Sequence, residues 1–249
     1  MVKETTSQRG QFTYQVSITT SDYEHCCFGA LLSDRWILSS ATCVVSITFF
    51  DLSDVTLTVG GYNVREGCSY MSDYMKIHEN FNAITLENDI ALYRTDRPIT
   101  FNQDIQPIPY FKGNMPATIS DTVVIGWGED GSRSNPYLVF ASMTVLANSG
   151  CATVWKKENF PNGLNPSLVP STAFCASYNG SLWAESRLCP SEPSLPLSTQ
   201  GRVLIGIQAG FSGNIDNCGT STQPSLFTQT ARLANWILNV TNIDGVYTL

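Results

Sequence analysis

The chain has 249 residues, of which 43% are hydrophobic and 14% are charged, and its formal net charge at pH 7 is −7. This length fits one large all-β domain or two small barrels, and the hydrophobic fraction is ample for a core. The acidic balance and the scattered Lys and Arg residues argue against a nucleic-acid-binding surface, which needs clustered basic residues. No apolar stretch reaches the ~18 residues of a membrane span.

Short runs in which apolar and polar residues alternate recur along the chain, with turn residues between them. They include residues 14–18, 55–59, 122–126 and 202–207. This pattern is typical of short antiparallel strands. Residues 107–120 are rich in Pro and Gly and are expected to link two β halves, at about 13–106 and about 121–228. The apolar residues Leu233, Trp236 and Ile237 have helical spacing, which predicts a closing helix over 229–240.

Three segments carry a more specific pattern. Residues 36–43 are Trp-Ile-Leu-Ser-Ser-Ala-Thr-Cys, residues 88–92 are Asn-Asp-Ile-Ala-Leu, and residues 189–197 are Cys-Pro-Ser-Glu-Pro-Ser-Leu-Pro-Leu. They resemble the segments Trp-Val-Leu-Thr-Ala-Ala-His-Cys, Asn-Asp-Ile-Ala-Leu and Cys-Gln-Gly-Asp-Ser-Gly-Gly-Pro-Leu of the chymotrypsin/trypsin family of serine proteases. The resemblance implies an all-β fold: one peptidase domain of two antiparallel six-stranded β-barrels and a C-terminal helix.

The same alignment places Thr42 at the catalytic His, Asp89 at the catalytic Asp and Pro193 at the nucleophilic Ser. In such a triad the Ser attacks a carbonyl while the His takes and returns its proton. Thr42 is no base near neutral pH, and Pro193 has neither a side-chain oxygen nor the backbone N–H that the oxyanion hole needs. Ser191 replaces the Gly that supplies the second oxyanion donor, and Ala209 replaces a Ser that supports the catalytic Asp. We therefore expect that the chain is not an enzyme.

The substrate pocket is altered as well. Arg187 aligns with the pocket base, where trypsins keep an Asp, and Leu188 follows it. Gly210 and Phe211 replace the family's Trp-Gly on the pocket wall, and Ser225 replaces a Gly on the opposite side. A Phe at the pocket mouth is expected to obstruct peptide entry.

Only two histidines are available to replace the missing base, His25 and His78. The resemblance places His25 on a barrel strand beside the site and His78 at a surface position before Asp89. Neither is expected to act as a base, because a base must first lie within hydrogen-bond reach of the nucleophile.

Eight cysteines indicate an oxidising compartment, and we expect a secreted, extracellular protein. For Cys26 and Cys68 three alternatives remain: a disulfide between them, two free thiols, or one thiol paired between molecules. No Cys-x-x-Cys spacing occurs, and we expect no metal and no other cofactor. The resemblance implies three disulfides: Cys27–Cys43, Cys151–Cys175 and Cys189–Cys218.

Two sequons, at Asn179 and Asn239, are candidate N-glycosylation sites. Of the two, Asn179 is expected in a loop near the altered pocket.

The combined loss of His and Ser within an otherwise intact protease body resembles the inactivated serine protease paralogues of the scabies mite, relatives of the mite group 3 allergens. That resemblance implies a secreted pseudoprotease that binds host plasma proteins and inhibits complement through an exosite. One alternative is that the chain shields the substrates or inhibitors of an active sister protease, although the altered pocket argues against substrate-like binding. The other is a residual hydrolase, which the missing His and Ser argue against.

Overall fold

A computed structural model describes residues 5–20, 23–47, 54–63, 66–127, 137–147, 151, 169–178, 194–211 and 224–249. Two short α-helices lie in these ranges, α1 (Ala41–Ile47) and α2 (Ala234–Thr241), with a 3₁₀ turn at Thr230–Leu233 before α2. No helix among the described residues is long and apolar enough to cross a membrane. The strands of the described residues, in chain order, are β1 (Thr5–Thr6), β2 (Gln15–Thr20), β3 (Tyr23–Leu31), β4 (Trp36–Ser39), β5 (Thr56–Val59), β6 (Cys68–Ile77), β7 (Ala91–Thr95), β8 (Ile119–Trp127), β9 (Leu138–Val145), β10 (Ala173–Tyr178), β11 (Pro196–Thr199), β12 (Val203–Phe211) and β13 (Ser225–Gln229).

Strands β2 to β7 form the first barrel. Their spatial order is β2-β3-β4-β7-β6-β5, and the pairing of β5 with β2 closes the ring. Along β5 the side chains alternate, since Leu57 and Val59 are fully buried while Thr56 and Thr58 are partly exposed. This alternation follows from the two-residue period of a strand with one face on the core.

Strands β8 to β13 form the second barrel. Their order is β9-β10-β13-β12-β11-β8, and β8 pairs with β9 to close it. All pairings are antiparallel, so the expected fold of two six-stranded antiparallel barrels with a C-terminal helix is confirmed. The short strand β1 adds to β9 from outside, with Thr5 opposite Phe140.

Helix α1 was not predicted from the sequence. Four of its seven residues are β-branched, which lowers helix propensity. It is stabilised instead by capping, because the hydroxyl of Ser40 accepts the N–H of Cys43 at 3.1 Å. The helix therefore depends on capping more than on the propensity of its residues.

The structure contains two of the three disulfides that the resemblance implied, Cys27–Cys43 and Cys151–Cys175. Disulfides of this kind are typical of proteins from oxidising compartments. The third, Cys189–Cys218, lies outside the described residues.

The fourth pairing that we considered, Cys26–Cys68, is wrong, since neither residue is in a disulfide. Cys26 lies on β3 and packs against the core, while the exposed Cys68 begins β6. Two strands separate β3 from β6 in either direction around the barrel. Neighbouring strands are about 4.8 Å apart, and a disulfide needs Cα atoms within about 7 Å. Because two strands lie between them on either side, Cys26 and Cys68 are on opposite sides of the barrel and too far apart for a disulfide.

Candidate functional site

Strand pairing in the first barrel brings Thr42 and Asp89 together. Strands β4 and β7 are antiparallel, with Ser39 opposite Ala91. Thr42 follows Ser39 by three residues in the first turn of α1, and Asp89 precedes Ala91 by two. Both therefore lie at the same end of this strand pair. The register thus places the two residues that align with the catalytic His and Asp side by side.

Thr42 donates two hydrogen bonds to Asp89. Its backbone N–H bonds to Oδ1 and its hydroxyl to Oδ2, each at 2.7 Å. One residue therefore occupies both carboxyl oxygens of Asp89, which is itself fully buried. In an active triad one of these oxygens would orient an imidazole; here the bonding partner has no ring nitrogen to receive a proton.

Burial raises the pKa of Asp89 to about 6, although the hydrogen bonds from Thr42 and from the backbone of Ala41 act in the opposite direction. The desolvation of the carboxylate therefore outweighs its hydrogen bonds. Ala209, which aligns with a supporting Ser, is buried and offers only a methyl group. Among the described residues, only those of α1 donate hydrogen bonds to the carboxyl group of Asp89.

The first described residue of the nucleophile segment is Ser194, which aligns with a Gly of the family motif. Ser194 is fully buried and has a φ of 87°, a backbone conformation that a non-glycine residue adopts uncommonly. Its Oγ accepts the backbone N–H of Ser40 at 3.2 Å and lies 2.6 Å from the Ser40 hydroxyl. These contacts hold the end of the nucleophile segment against the start of α1.

Ser194 was not predicted as a contact residue from the sequence, although the replacement of a motif Gly by Ser was a signal that a side chain had been added there. The contact has no catalytic geometry of its own. Both Oγ atoms belong to serines, and neither residue carries a base. The nearest triad-aligned residue before it, Pro193, lies outside the described residues, as do Ser191, Arg187 and Leu188.

Three residues aligned with the pocket wall lie on neighbouring strands. Gly210 and Phe211 end β12, and Ser225 begins β13, with Phe211 paired directly with Ser225. Ser225 is buried. The obstruction of the pocket by Phe211 stays a prediction, as do the effects of Arg187 and Leu188.

The ring of His78 packs against α2. Its centroid lies 5.1 Å from that of Trp236, and its Nδ1 accepts the backbone N–H of Asn80 at 3.1 Å. Burial lowers the pKa of His78. The imidazole is therefore engaged at the C-terminal helix, while the other histidine, His25, lies on β3.

The structure describes one of the two sequons and many of the side chains that could bind a metal. In the ranges that the structure describes, no three His, Cys, Asp or Glu side chains converge as a metal site would require. Asn239 is exposed on α2, whereas the sequon's Thr241 is buried and donates its hydroxyl to the carbonyl of Ile237 at 2.7 Å. Asn179 lies outside the described residues.

Comparison with known proteins gives a consistent result. The sequence model of the Trypsin family matches residues 1–237. Similar proteins include trypsin beta of Drosophila erecta, 28% identical over 250 residues that cover 96% of this chain and 87% of the relative. Trypsin delta of Drosophila melanogaster is also 28% identical, over 92% of this chain and 83% of the relative. Trypsin alpha of Drosophila melanogaster is 28% identical over 93% of this chain and 83% of the relative.

Proposed function

Because the chain belongs to the trypsin family of serine proteases, we propose that it is a catalytically inactive member, a pseudoprotease that acts by binding. The observation that carries the proposal is the paired hydrogen bond from Thr42 to both carboxyl oxygens of Asp89. Peptide hydrolysis by this family needs a base between the Asp and the nucleophile. Thr42 fills the position of that base and has no proton-accepting nitrogen, and Pro193 has no nucleophilic oxygen.

Labelling with a fluorophosphonate probe, which reacts with activated serines, tests the inactivity. We expect no labelling under conditions that label an active trypsin to completion, because the chain lacks both the base and the nucleophile. An active trypsin mixed into the same sample controls for probe quality. Covalent labelling of any serine in this chain, located by mass spectrometry, would contradict the proposal.

A second test restores the triad by the double substitution Thr42→His with Pro193→Ser. We expect no efficient cleavage after Lys or Arg, because the double variant keeps Ser191, which aligns with an oxyanion Gly, and Arg187, which aligns with the pocket base. Loss of one oxyanion donor alone costs about 3–4 kcal/mol of transition-state stabilisation. The readout is hydrolysis of a fluorogenic Arg substrate, with Pro193→Ser alone as the control. Trypsin-like turnover would show that the pocket is intact.

For the biological role, we propose that the protein is secreted, binds host plasma proteins and inhibits complement through an exosite. Two features support this: the resemblance to the inactivated mite paralogues, and a disulfide-bonded double barrel whose loops are free to vary once catalysis no longer constrains them. The altered pocket residues favour a binding surface away from the cleft.

The test adds purified protein to normal human serum and measures complement deposition separately in each of the three activation pathways. We expect a dose-dependent loss, and the pathway affected identifies the target. A covalently inhibited trypsin at the same concentration is the control, because it has the fold without the proposed exosite. No loss at micromolar protein would contradict the complement role and favour the shielding of an active protease's substrates or inhibitors.

A further inference from the structure

A cavity of about 440 Å³ lies between the linker that joins the barrels, the second barrel and the 3₁₀ turn before α2. Its volume falls within the range of about 300–1,000 Å³ that is typical of small-molecule sites. Neither Thr42 nor Asp89 lines it, so it is separate from the triad-aligned residues. Its lining includes two cations, one amide and two large apolar side chains: Lys112, Arg232, Gln229, Met115 and Phe174.

The charge of the cavity wall is positive, although the whole chain is acidic. Among the described residues, two cations and no Asp or Glu line the cavity, whereas the chain has 21 acidic and 14 basic residues. The charge of Lys112 is compensated, since its Nζ lies 2.5 Å from a carboxyl oxygen of Asp244 and 4.4 Å from the ring centroid of Tyr247. The exposed guanidinium of Arg232 has no carboxylate partner among the described residues. Within the described part of the chain, one positive charge at the cavity is therefore without a carboxylate partner.

A buried amide reaches the same cavity. Gln229 is only 7% exposed and lines the cavity. Its side-chain amide offers both donors and an acceptor to a polar group of a ligand.

The remaining wall is apolar. Phe174 is 4% exposed and stacks on Phe227 with ring centroids 5.8 Å apart. The ring lies close to Gly206, where a Cβ atom would come within 2.9 Å of it, so the glycine makes room for this ring position. Met115 adds a flexible apolar side chain, of the kind that adapts to irregular ligands.

From this combination we propose that the cavity binds a small carboxylate with an apolar body. The carboxylate pairs with the planar guanidinium of Arg232, which matches carboxylate geometry in two hydrogen bonds, and with the amide of Gln229. The apolar body packs on Phe174 and Met115. A monoanion fits best, because a single positive charge at the cavity lacks a carboxylate partner among the residues that the structure describes. The carboxylate comes either from a free small acid or from the chain end of a peptide.

A double comparison tests the carboxylate contact. N-acetyl-phenylalanine and its uncharged amide are titrated by calorimetry into the unaltered chain and into the Arg232→Gln variant. We expect the amide probe to bind the unaltered chain about tenfold more weakly than the acid, because the amide forms no charge-assisted pair of hydrogen bonds with Arg232. In Arg232→Gln that difference disappears. Arg202→Gln, which changes an exposed arginine in the β11–β12 turn, is the matched control and keeps the difference.

Two outcomes would overturn the proposal. One is the absence of binding by the acid with a dissociation constant below about 1 mM. The other is an acid-to-amide difference that is equal in the unaltered chain and in Arg232→Gln. A third probe, a short acetylated peptide ending in Phe, distinguishes the sources: tighter binding than N-acetyl-phenylalanine identifies a peptide chain end, and equal or weaker binding identifies a free acid. Failure of these tests leaves the proposed pseudoprotease function untouched, because the cavity contains none of its residues.

Discussion

Asp89 shows how two opposing effects act on one carboxyl group. Its two oxygens accept hydrogen bonds from Thr42, and such bonds favour the ionised form. Its complete burial favours the neutral form, and burial prevails, since the pKa rises to about 6. Two measurable consequences follow from this balance, one for Thr42 and one for the pH dependence of stability.

Replacement of Thr42 by Val is expected to destabilise the protein by about 1–3 kcal/mol. Valine has nearly the shape of threonine but lacks the hydroxyl, so Oδ2 of the buried Asp89 loses its donor. Thr42→Ser keeps the hydroxyl and is the matched control, with a smaller expected loss. Urea unfolding followed by fluorescence measures both. Equal stability of the Val and Ser variants would show that the hydroxyl bond contributes nothing.

The raised pKa of Asp89 sets the sign of a pH effect. The ordinary value is 3.8 and the folded value about 6, so the folded chain binds this proton more tightly than the unfolded chain does. The contribution of Asp89 to the unfolding free energy is therefore complete below about pH 4 and is lost as the pH rises to about 6, by up to about 3 kcal/mol. The measurement compares urea unfolding of the unaltered chain and Asp89→Asn at pH 4 and pH 7. If the two chains differ in unfolding free energy by the same amount at pH 4 and at pH 7, the raised pKa of Asp89 is contradicted.

Strand register decides which side chains can meet, and the cysteines illustrate this at the level of elements. Cys26 and Cys68 are 42 positions apart, and the sequence alone does not show which strands pair or in which register. In the barrel, β3 and β6 are separated by β4 and β7 on one side and by β2 and β5 on the other. The pairing was thus excluded by topology, which is set by every strand of the barrel together.

Alkylation of the native protein with iodoacetamide, followed by peptide mapping, tests this arrangement. We expect rapid modification of the exposed Cys68 and slower modification of the partly buried Cys26. Alkylation after denaturation is the control and should modify both residues equally. A peptide pair joined through Cys26 and Cys68 would contradict the structure.

In the whole molecule, the two barrels are joined by shared hydrophobic packing and by hydrogen bonds. One cluster of buried hydrophobic residues includes side chains from both barrels, for example Leu57 of β5 and Ile205 of β12. Hydrogen bonds add to it: the hydroxyl of Tyr14 lies 2.9 Å from Oγ of Ser198, and Ser40 is bonded to Ser194. Shared packing of this kind favours cooperative unfolding.

We expect Tyr14→Phe to lower the unfolding free energy by about 1 kcal/mol without splitting the transition. The substitution removes one buried hydroxyl, while Ser198 keeps its hydrogen bond from the N–H of Gly201. Tryptophan fluorescence and far-UV circular dichroism, recorded over the same urea series, should give coincident curves. Two separate transitions would show that the barrels unfold independently.

The sequence was sufficient for the fold but only partly for the site. Alternating residues and three motif segments predicted the two barrels, and the motif alignment assigned Thr42 and Asp89 to the positions of two triad members. The bonds between them, the contact of Ser194 with Ser40, and the cavity at Arg232 were not predictable. Each depends on segments distant in sequence and on side-chain placement, which periodicity and motif spacing do not encode. Helix α1 was missed for the same reason, because one of its caps is Asp89, which lies 47 positions beyond Thr42.

The carboxyl group of Asp89 has a structural task that owes nothing to proteolysis. The N–H groups of a helix's first turn have no partner within the helix, and Asp89 accepts that of Thr42, the second residue of α1, from a segment nearly fifty positions further along the chain. It is a helix cap supplied from outside the helix. Folding of the first barrel is therefore by itself a physical reason for an aspartate at position 89. The Asn-Asp-Ile-Ala-Leu segment of this chain supplies a cap to the helix that follows β4, whatever its part in peptide cleavage.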